Sequence, residues 1–498
     1  MRPTSDRPPL LSAERDATGP AGRAAAHPRP GRRAFLVGAL AAAGARAVGA
    51  ARRPAAAVAA GAAPATMPAP TVVVAASSFP TVAQALAAVP PGGTLLVDRS
   101  EAIASPLIVD RSMTVLFAPT VRLTATAHIT MIDVHASDVR VVDAALVGAG
   151  TSRAASGKGV VATGTATAPL ERLSIEDCTF TGLSHSAVVA TSVVGLEVVG
   201  CRVDDVGYAG VVLVSCTDAV VRGCTVADVR QPAGFVNSYG IAVTRDETKS
   251  LVDSPRSARV TIDGNTVRGV RLWEGIDTHA GQQIVIRDNT VSGCSVGIAV
   301  VPCQNDATPQ EYVYAPVDVV VARNHVERGD SPGTGSGIVV KGAGSTVASG
   351  AERASAVVED NVVVGMGGGD REAGVLLYLT RDVVVRGNLL SGCVGRGVCL
   401  YHSNDATMLV GNRVEGVVLA AGATVAAAVE VRSSANTATL VGNSYAPGSH
   451  LPGSAASVRG VAVPGSGNVL DLLRNDWTAT VLPVWGRSST ITRFADGA

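Results

Sequence analysis

Val260-Thr261-Ile262-Asp263-Gly264-Asn265-Thr266-Val267 is followed, with Asn289 standing 24 residues after Asn265, by Ile284-Val285-Ile286-Arg287-Asp288-Asn289-Thr290-Val291. Each copy is a β-branched run, a turn residue, an Asn and a second apolar run. The marker position recurs at Cys178, Cys201, Cys224, Asn265, Asn289, Asn324, Asn361, Asn388, Asn412 and Asn443, with shortest spacings of 23 and 24 residues and longer ones where loops are inserted. No single copy can bury its own apolar side chains, so each must stack on its neighbours through parallel main-chain hydrogen bonds. An inward Asn at a corner satisfies its amide on the Asn above and below. The reading is a solenoid of strand-turn coils, ten of them marked.

Composition agrees. Of 498 residues 47% are hydrophobic but only 3% aromatic, so the interior is built from Val, Ala, Leu and Ile, which suit short stacked strands. A helical bundle would need an apolar period near 3.6 residues, which is absent. Ten of the 41 basic residues are arginines within the first 60 positions, leaving a mildly acidic remainder without the basic stripe of a nucleic-acid binder. No stretch approaches the roughly 18 apolar residues of a membrane span.

Gly31-Arg32-Arg33-Ala34-Phe35-Leu36, an apolar run to about Ala45 and then Val48-Gly49-Ala50 resemble a twin-arginine export signal with a small-x-small cleavage pattern. Residues 1–50 are therefore expected to be a signal peptide, 51–75 an Ala/Pro-rich linker, and 76–498 one solenoid domain, with final coils and a C-terminal cap in about the last fifty residues. That implies a periplasmic or extracellular location. The eight cysteines leave disulfides open, but Cys178, Cys201 and Cys224 share one repeat position and are expected as small buried hydrophobes.

Thr81 to Ala88 reads as a short helix N-capped by Thr81, followed by a Gly92-Gly93 turn and a first strand to Val97, a cap for the open apolar end. This helix, the glycine turn and the Asn-marked coils resemble the pectate-lyase-like superfamily from about Phe79 to Tyr445. The resemblance implies an all-β right-handed parallel β-helix and, for activity, a choice among lyases, hydrolases, epimerases and non-catalytic surface proteins.

Aligning coils on the Gly-apolar step, with the residue after Gly inward, sends the second and fourth residues outward. The second-place ladder is Val212, Ala242, Asp277, Ala299, Val339, Leu376, Cys399. The fourth is Val214, Thr244, His279, Val301, Lys341, Tyr378, Tyr401. Asp277 and His279 thus stand side by side outside, one coil from Arg245 and Asp246, a constellation suited to proton transfer. Long insertions at 245–259, 302–317 and 342–356 flank this short coil, so it should form the floor of a groove. Trp273, Tyr239, Tyr312 and Tyr314 are expected to contact substrate there, with Lys341 binding a neighbouring sugar.

The expected function is an exported enzyme acting on a polysaccharide, with β-elimination at a uronate slightly favoured. His279, or a wall tyrosine, would be the base, Asp277 would orient it, and Arg245 would pair the substrate carboxylate. The alternatives are glycoside hydrolysis by Asp277 with Asp246 or Glu274, and a non-catalytic carbohydrate-binding solenoid. The polygalacturonase-like set of Asn-Thr-Asp, Asp-Asp, Gly-His-Gly and Arg-Ile-Lys is not found. Lyases of the superfamily often hold Ca²⁺ with several carboxylates. No such cluster is visible, so no metal or cofactor is expected, and the chain is expected as a monomer or homotrimer.

Overall fold

The computed structural model describes residues 72–304, 312–331, 333–423, 426–448, 458–486 and 489–495. The expected signal peptide and most of the linker lie outside the described residues. The first strand, Val73–Ala75, falls at the end of the stretch read as linker and pairs in parallel with Gly93–Val97.

Successive coils add strands in chain order to three long parallel sheets, which hold 16, 13 and 14 strands among the described residues. The fold is a right-handed parallel β-helix. The helix Val82–Ala88 covers its first end, its N-cap Thr81 accepting a hydrogen bond from the Gln84 amide at 3.2 Å. No helix among the described residues is long and apolar enough to cross a membrane.

The corner after the first sheet shows why the sequence repeats. The residue before each marker has positive φ, and is Gly at 264 and 387 but Asp at 177, 288 and 360. These types tolerate the left-handed region best. The marker side chain then turns inward. Asn289 accepts from the Asn265 amide at 2.9 Å and donates to Asn324 Oδ1 at 2.9 Å and to the Ile262 carbonyl at 3.0 Å. The column continues through Asn361, Asn388, Asn412 and Asn443 to Asn475, one coil beyond the sequence marker set. A second amide column, Asn404, Asn436 and Asn468, forms at the corner after the third sheet. All eight cysteines are free thiols and buried, so the possible disulfide between stacked markers is not formed.

The third sheet positions the site. Val211, Ile241, Ile276, Ile298, Ile338 and Val375 pair in register and form one interior column. Each such side chain removed from water contributes roughly 2 kcal/mol. The glycines before this column serve close approach rather than turning. A Cβ on Gly275 would sit 2.5 Å from Val291 Cγ1 and 2.8 Å from the Gly297 carbonyl oxygen. Gly275 and Ile276 therefore both face the interior, a break in strict alternation that directs Glu274 outward, beside Asp277.

Candidate functional site

The expected outer ladder is present in full, Val212, Ala242, Asp277, Ala299, Val339, Leu376 and Cys399 pairing strand to strand. Its surroundings differ from the open floor expected. Residues 230–238, an insertion the sequence reading did not use, and residues 245–259 fold over the outer face. Beneath them Tyr239, Val212 and Ala242 make a small apolar cluster separate from the main core. Asp277 points outward but is fully buried, because His279 lies against it and the loops close above. The expectation of two exposed side chains is thus corrected for Asp277, while His279 keeps 21% of its side chain exposed.

His279 sits between two carboxylates. Its Nε2 is 3.1 Å from Asp277 Oδ2, and its Nδ1 is 3.5 Å from Glu247 Oε1 on the covering loop. Burial alone would hold the imidazolium back, but the charges of Asp277, Glu247 and Glu274 outweigh it and raise the imidazole well above its usual 6.5. Burial, reinforced by Asp277, pushes the Glu274 carboxyl up to about 8. Burial raises the Asp277 carboxyl as well, so all three groups hold their protons more tightly than usual. A tightly held proton favours His279 as a cation or donor over the base it was expected to be.

The cluster opens into a cavity of about 210 Å³. Tyr208, Tyr239 and Asn237 line it, and Phe235 backs Tyr208 at 5.1 Å between ring centroids. Asn237 donates to the Tyr239 hydroxyl at 2.7 Å, and the Tyr239 ring stands edge-on to His279 at 6.2 Å. Burial, then the charge of Asp277, raises the Tyr239 phenol, which stays protonated.

The other expected site residues are distributed as follows. Arg245 lines the cavity but is almost wholly buried, its Nε donating to the Ser254 carbonyl at 2.9 Å and its Nη2 to the Lys249 carbonyl. That corrects its expected role as an open cation: Nε and Nη2 pin the loop 245–259, and Nη1 is buried without a hydrogen-bond partner among the described residues. Asp246 pairs with Lys249 at 3.2 Å and accepts from Thr248, a turn arrangement on the surface of the same loop. Tyr314 lies between two guanidiniums, 5.5 Å from Arg245 and 5.2 Å from Arg256, so its faces join loops instead of lying open to a sugar. Arg256 also grips Glu352 across to the loop 342–356. Trp273 is exposed at the strand entrance, and Lys341 stands two coils further on, its ammonium 5.4 Å from the Tyr378 ring. The side chain of Tyr312 falls outside the described residues.

Two carboxylates and an imidazole, scattered over six positions of one strand, converge in space. Donor atoms of Glu274, Asp277 and His279 lie within 4.8 Å of one another, and neither Asp277 oxygen has an aligned hydrogen-bond partner among the described residues. The set fits the Ca²⁺ of the resemblance poorly, since that ion takes six to eight oxygens and this one offers an imidazole nitrogen. Its mixed nitrogen and oxygen donors suit a transition metal better. Glu247 was missed because it lies in an insertion with no repeat register. Phe235 and Asn237 were missed for the same reason, and Tyr208 because it stands just before the strand Ala209–Val214, outside the ladders aligned on the Gly-apolar step.

Residues 121–311 match the family described as "Right handed beta helix region". No curated protein matches the chain. Among solved structures, the tailspike protein of E. coli bacteriophage HK620, in complex with a pentasaccharide, is similar at 12% identity, with 79% of this chain and 74% of that one covered and a TM-score of 0.47. The bacteriophage CBA120 tailspike protein 3 is similar at 10% identity, over 84% of this chain and 59% of that one, with a TM-score of 0.45.

Proposed function

We propose that the protein is an exported enzyme that cleaves an acidic polysaccharide by β-elimination beside a uronate carboxylate. The observation that carries this reading is the His279 ring, held between Asp277 and Glu247 at the floor of a cavity walled by Tyr208 and Tyr239. Elimination needs a cation against the substrate carboxylate, a base for the adjacent carbon-bound proton and an acid for the leaving oxygen. With Arg245 committed to its loop, His279 is the cation that faces the carboxylate, and Asp277 keeps it charged. Glu247, partly exposed at the rim, takes the proton. Tyr239, whose hydroxyl is protonated, gives one to the departing glycosidic oxygen as that carbon–oxygen bond breaks and the new double bond forms. The resemblance of the coils to the pectate-lyase-like superfamily supports a polymer lying along the solenoid axis.

One observation favours glycoside hydrolysis instead. Burial and the nearby charge of Asp277 push the Glu274 carboxyl up to about 8, the direction an acid catalyst needs. Incubation of the purified protein with polygalacturonate, alginate and neutral polysaccharides separates the readings. Ultraviolet absorbance of an unsaturated uronate supports elimination, new reducing ends without it support hydrolysis, and neither product over the whole panel removes the catalytic reading.

A further inference from the structure

Asp277 is completely buried, and neither of its carboxylate oxygens has an aligned hydrogen-bond partner among the described residues. The same holds for both imidazole nitrogens of His279 and for Glu274 Oε2. Five polar atoms from one strand thus sit buried together without a matched partner. A buried carboxylate in that condition is costly and calls for a compensating cation. The 3.1 Å approach of His279 Nε2 to Asp277 Oδ2 provides one only while the ring carries its second proton. A metal ion provides two charges and binds through the same lone pairs.

The spacing suits an ion. Donors bound side by side to one ion at ~2.1 Å stand about 3.0 to 3.4 Å apart in octahedral and tetrahedral shells. The Asp277 and His279 atoms already meet that spacing. Glu274 brings a third donor within 4.8 Å of both, and a turn of its side chain closes the set. Two carboxylates and a neutral imidazole balance the charge of a divalent ion.

The other nitrogen of His279 points the same way from a separate part of the chain. Nδ1 faces Glu247 Oε1 at 3.5 Å, on the covering loop 245–259. An imidazole that binds a metal through one nitrogen is regularly held by a carboxylate at the other, which fixes the ring and strengthens it as a ligand. Here one nitrogen faces the cluster and the second faces a carboxylate outside it.

We infer that Glu274, Asp277 and His279 form a binding site for one divalent transition-metal ion, with Glu247 as the outer carboxylate that orients the imidazole. One nitrogen and two carboxylates favour Zn²⁺ or Mn²⁺ over Ca²⁺, which takes six to eight oxygens. Three protein ligands leave a position open toward the cavity lined by Tyr208, Asn237 and Tyr239, where a substrate oxygen can complete the shell. The binding of the ion stands apart from the cleavage reaction, but its role there rests on the proposed function. In that role the ion replaces the His279 proton as the cation set against the uronate carboxylate, and it acidifies the adjacent carbon whose proton Glu247 removes.

The test uses the full chain, stripped with a chelator and dialysed, in calorimetric titrations with Zn²⁺ and with Mn²⁺ chlorides. One ion should bind per chain. Asp277→Asn, which keeps the side chain's shape, should weaken binding by about a hundredfold, and Glu247→Gln by about tenfold. Asp246→Asn, on the surface of the same loop, should leave the affinity unchanged. Circular dichroism verifies that each variant is folded, and X-ray absorption at the zinc edge of the loaded protein should show one imidazole among oxygen donors. Absence of stoichiometric binding of either ion to the folded wild-type chain overturns the site. Undiminished binding in folded Asp277→Asn does so too, as does a zinc edge with thiolate or several imidazole ligands. Asp277-dependent binding without cleavage of any polysaccharide keeps the site and removes the enzymatic reading alone, whereas cleavage by a chain that binds neither ion removes the site alone.

Discussion

Replacing Asn324 by Ala tests whether the corner amides hold the coils in step. Asn324 Oδ1 accepts from the Asn289 main-chain amide at 3.0 Å and from Asn289 Nδ2 at 2.9 Å. Its Nδ2 donates to the Ile286 carbonyl at 2.9 Å and to Asn361 Oδ1 at 3.0 Å. Truncation removes all four bonds at a position only 1% exposed, where water has no ready access to replace them. At a net contribution of about 1 kcal/mol each, the loss is roughly 4 kcal/mol, with more for the Asn289 amide left buried without an acceptor. Urea titration followed by far-ultraviolet circular dichroism, with refolding checked, gives the global value. Hydrogen exchange at the Asn289 amide gives the local one. Asn265→Cys should cost less, because Asn265 makes three side-chain bonds rather than four, to the Cys224 amide, the Val221 carbonyl and Asn289 Oδ1, and a thiol at this corner can donate to a carbonyl as Cys224 does to Val198. A loss below about 1 kcal/mol for Asn324→Ala, with Asn289 still protected, would refute the reasoning.

Four further outcomes follow from the site and from the expected export signal. His279→Gln should lower turnover by roughly 10²- to 10⁴-fold on the cleaved polysaccharide while circular dichroism stays unchanged, and wild-type rates would remove His279 from the chemistry. Glu274 has its carboxyl raised from 4.5 to about 8 in the folded state, so the native protein binds the extra proton between these values. Stability should then be greatest below pH 4.5 for this group and be lost as pH rises through 8, by up to ~1.4 kcal/mol per pH unit, and Glu274→Gln should flatten that slope in thermal melts. Arg245→Gln should loosen the loop 245–259, seen as faster limited proteolysis there and a raised KM; unaltered cleavage of the loop would show that its carbonyl contacts do not hold it. Arg32→Lys with Arg33→Lys should retain the protein in the cytoplasm, and normal export in cell fractionation would exclude the twin-arginine reading.

The coils were legible because a solenoid writes each structural need many times. Positive φ before the marker, an inward amide and an inward apolar residue after glycine all recur at one period, so any single irregularity is outvoted. The outer ladder followed from the same register, which is why Asp277 and His279 came out as neighbours. What surrounds them did not follow, because it depends on insertions that carry no period. The burial of Asp277, the approach of Glu247 and the commitment of Arg245 to main-chain carbonyls are all decided by how residues 230–238 and 245–259 fold back. Glu274 was named as a partner of Asp277 for hydrolysis, but its outward placement was obscured for a different reason. Strict alternation sends it inward, and only the two successive interior positions at Gly275 and Ile276 bring it out beside Asp277.

The marker column also makes the molecule divisible into interchangeable lengths. Because Asn388 hands Asn412 the same socket that Asn361 hands Asn388, excision of residues 389–412 would join two compatible faces and leave the amide chain unbroken. The outer face of the third sheet would then be one rung shorter. Removal of a few residues more or fewer would leave a socket facing the wrong plug. A lineage built this way can alter the reach of its outer face by whole rungs while the ground beneath His279 stays where it is.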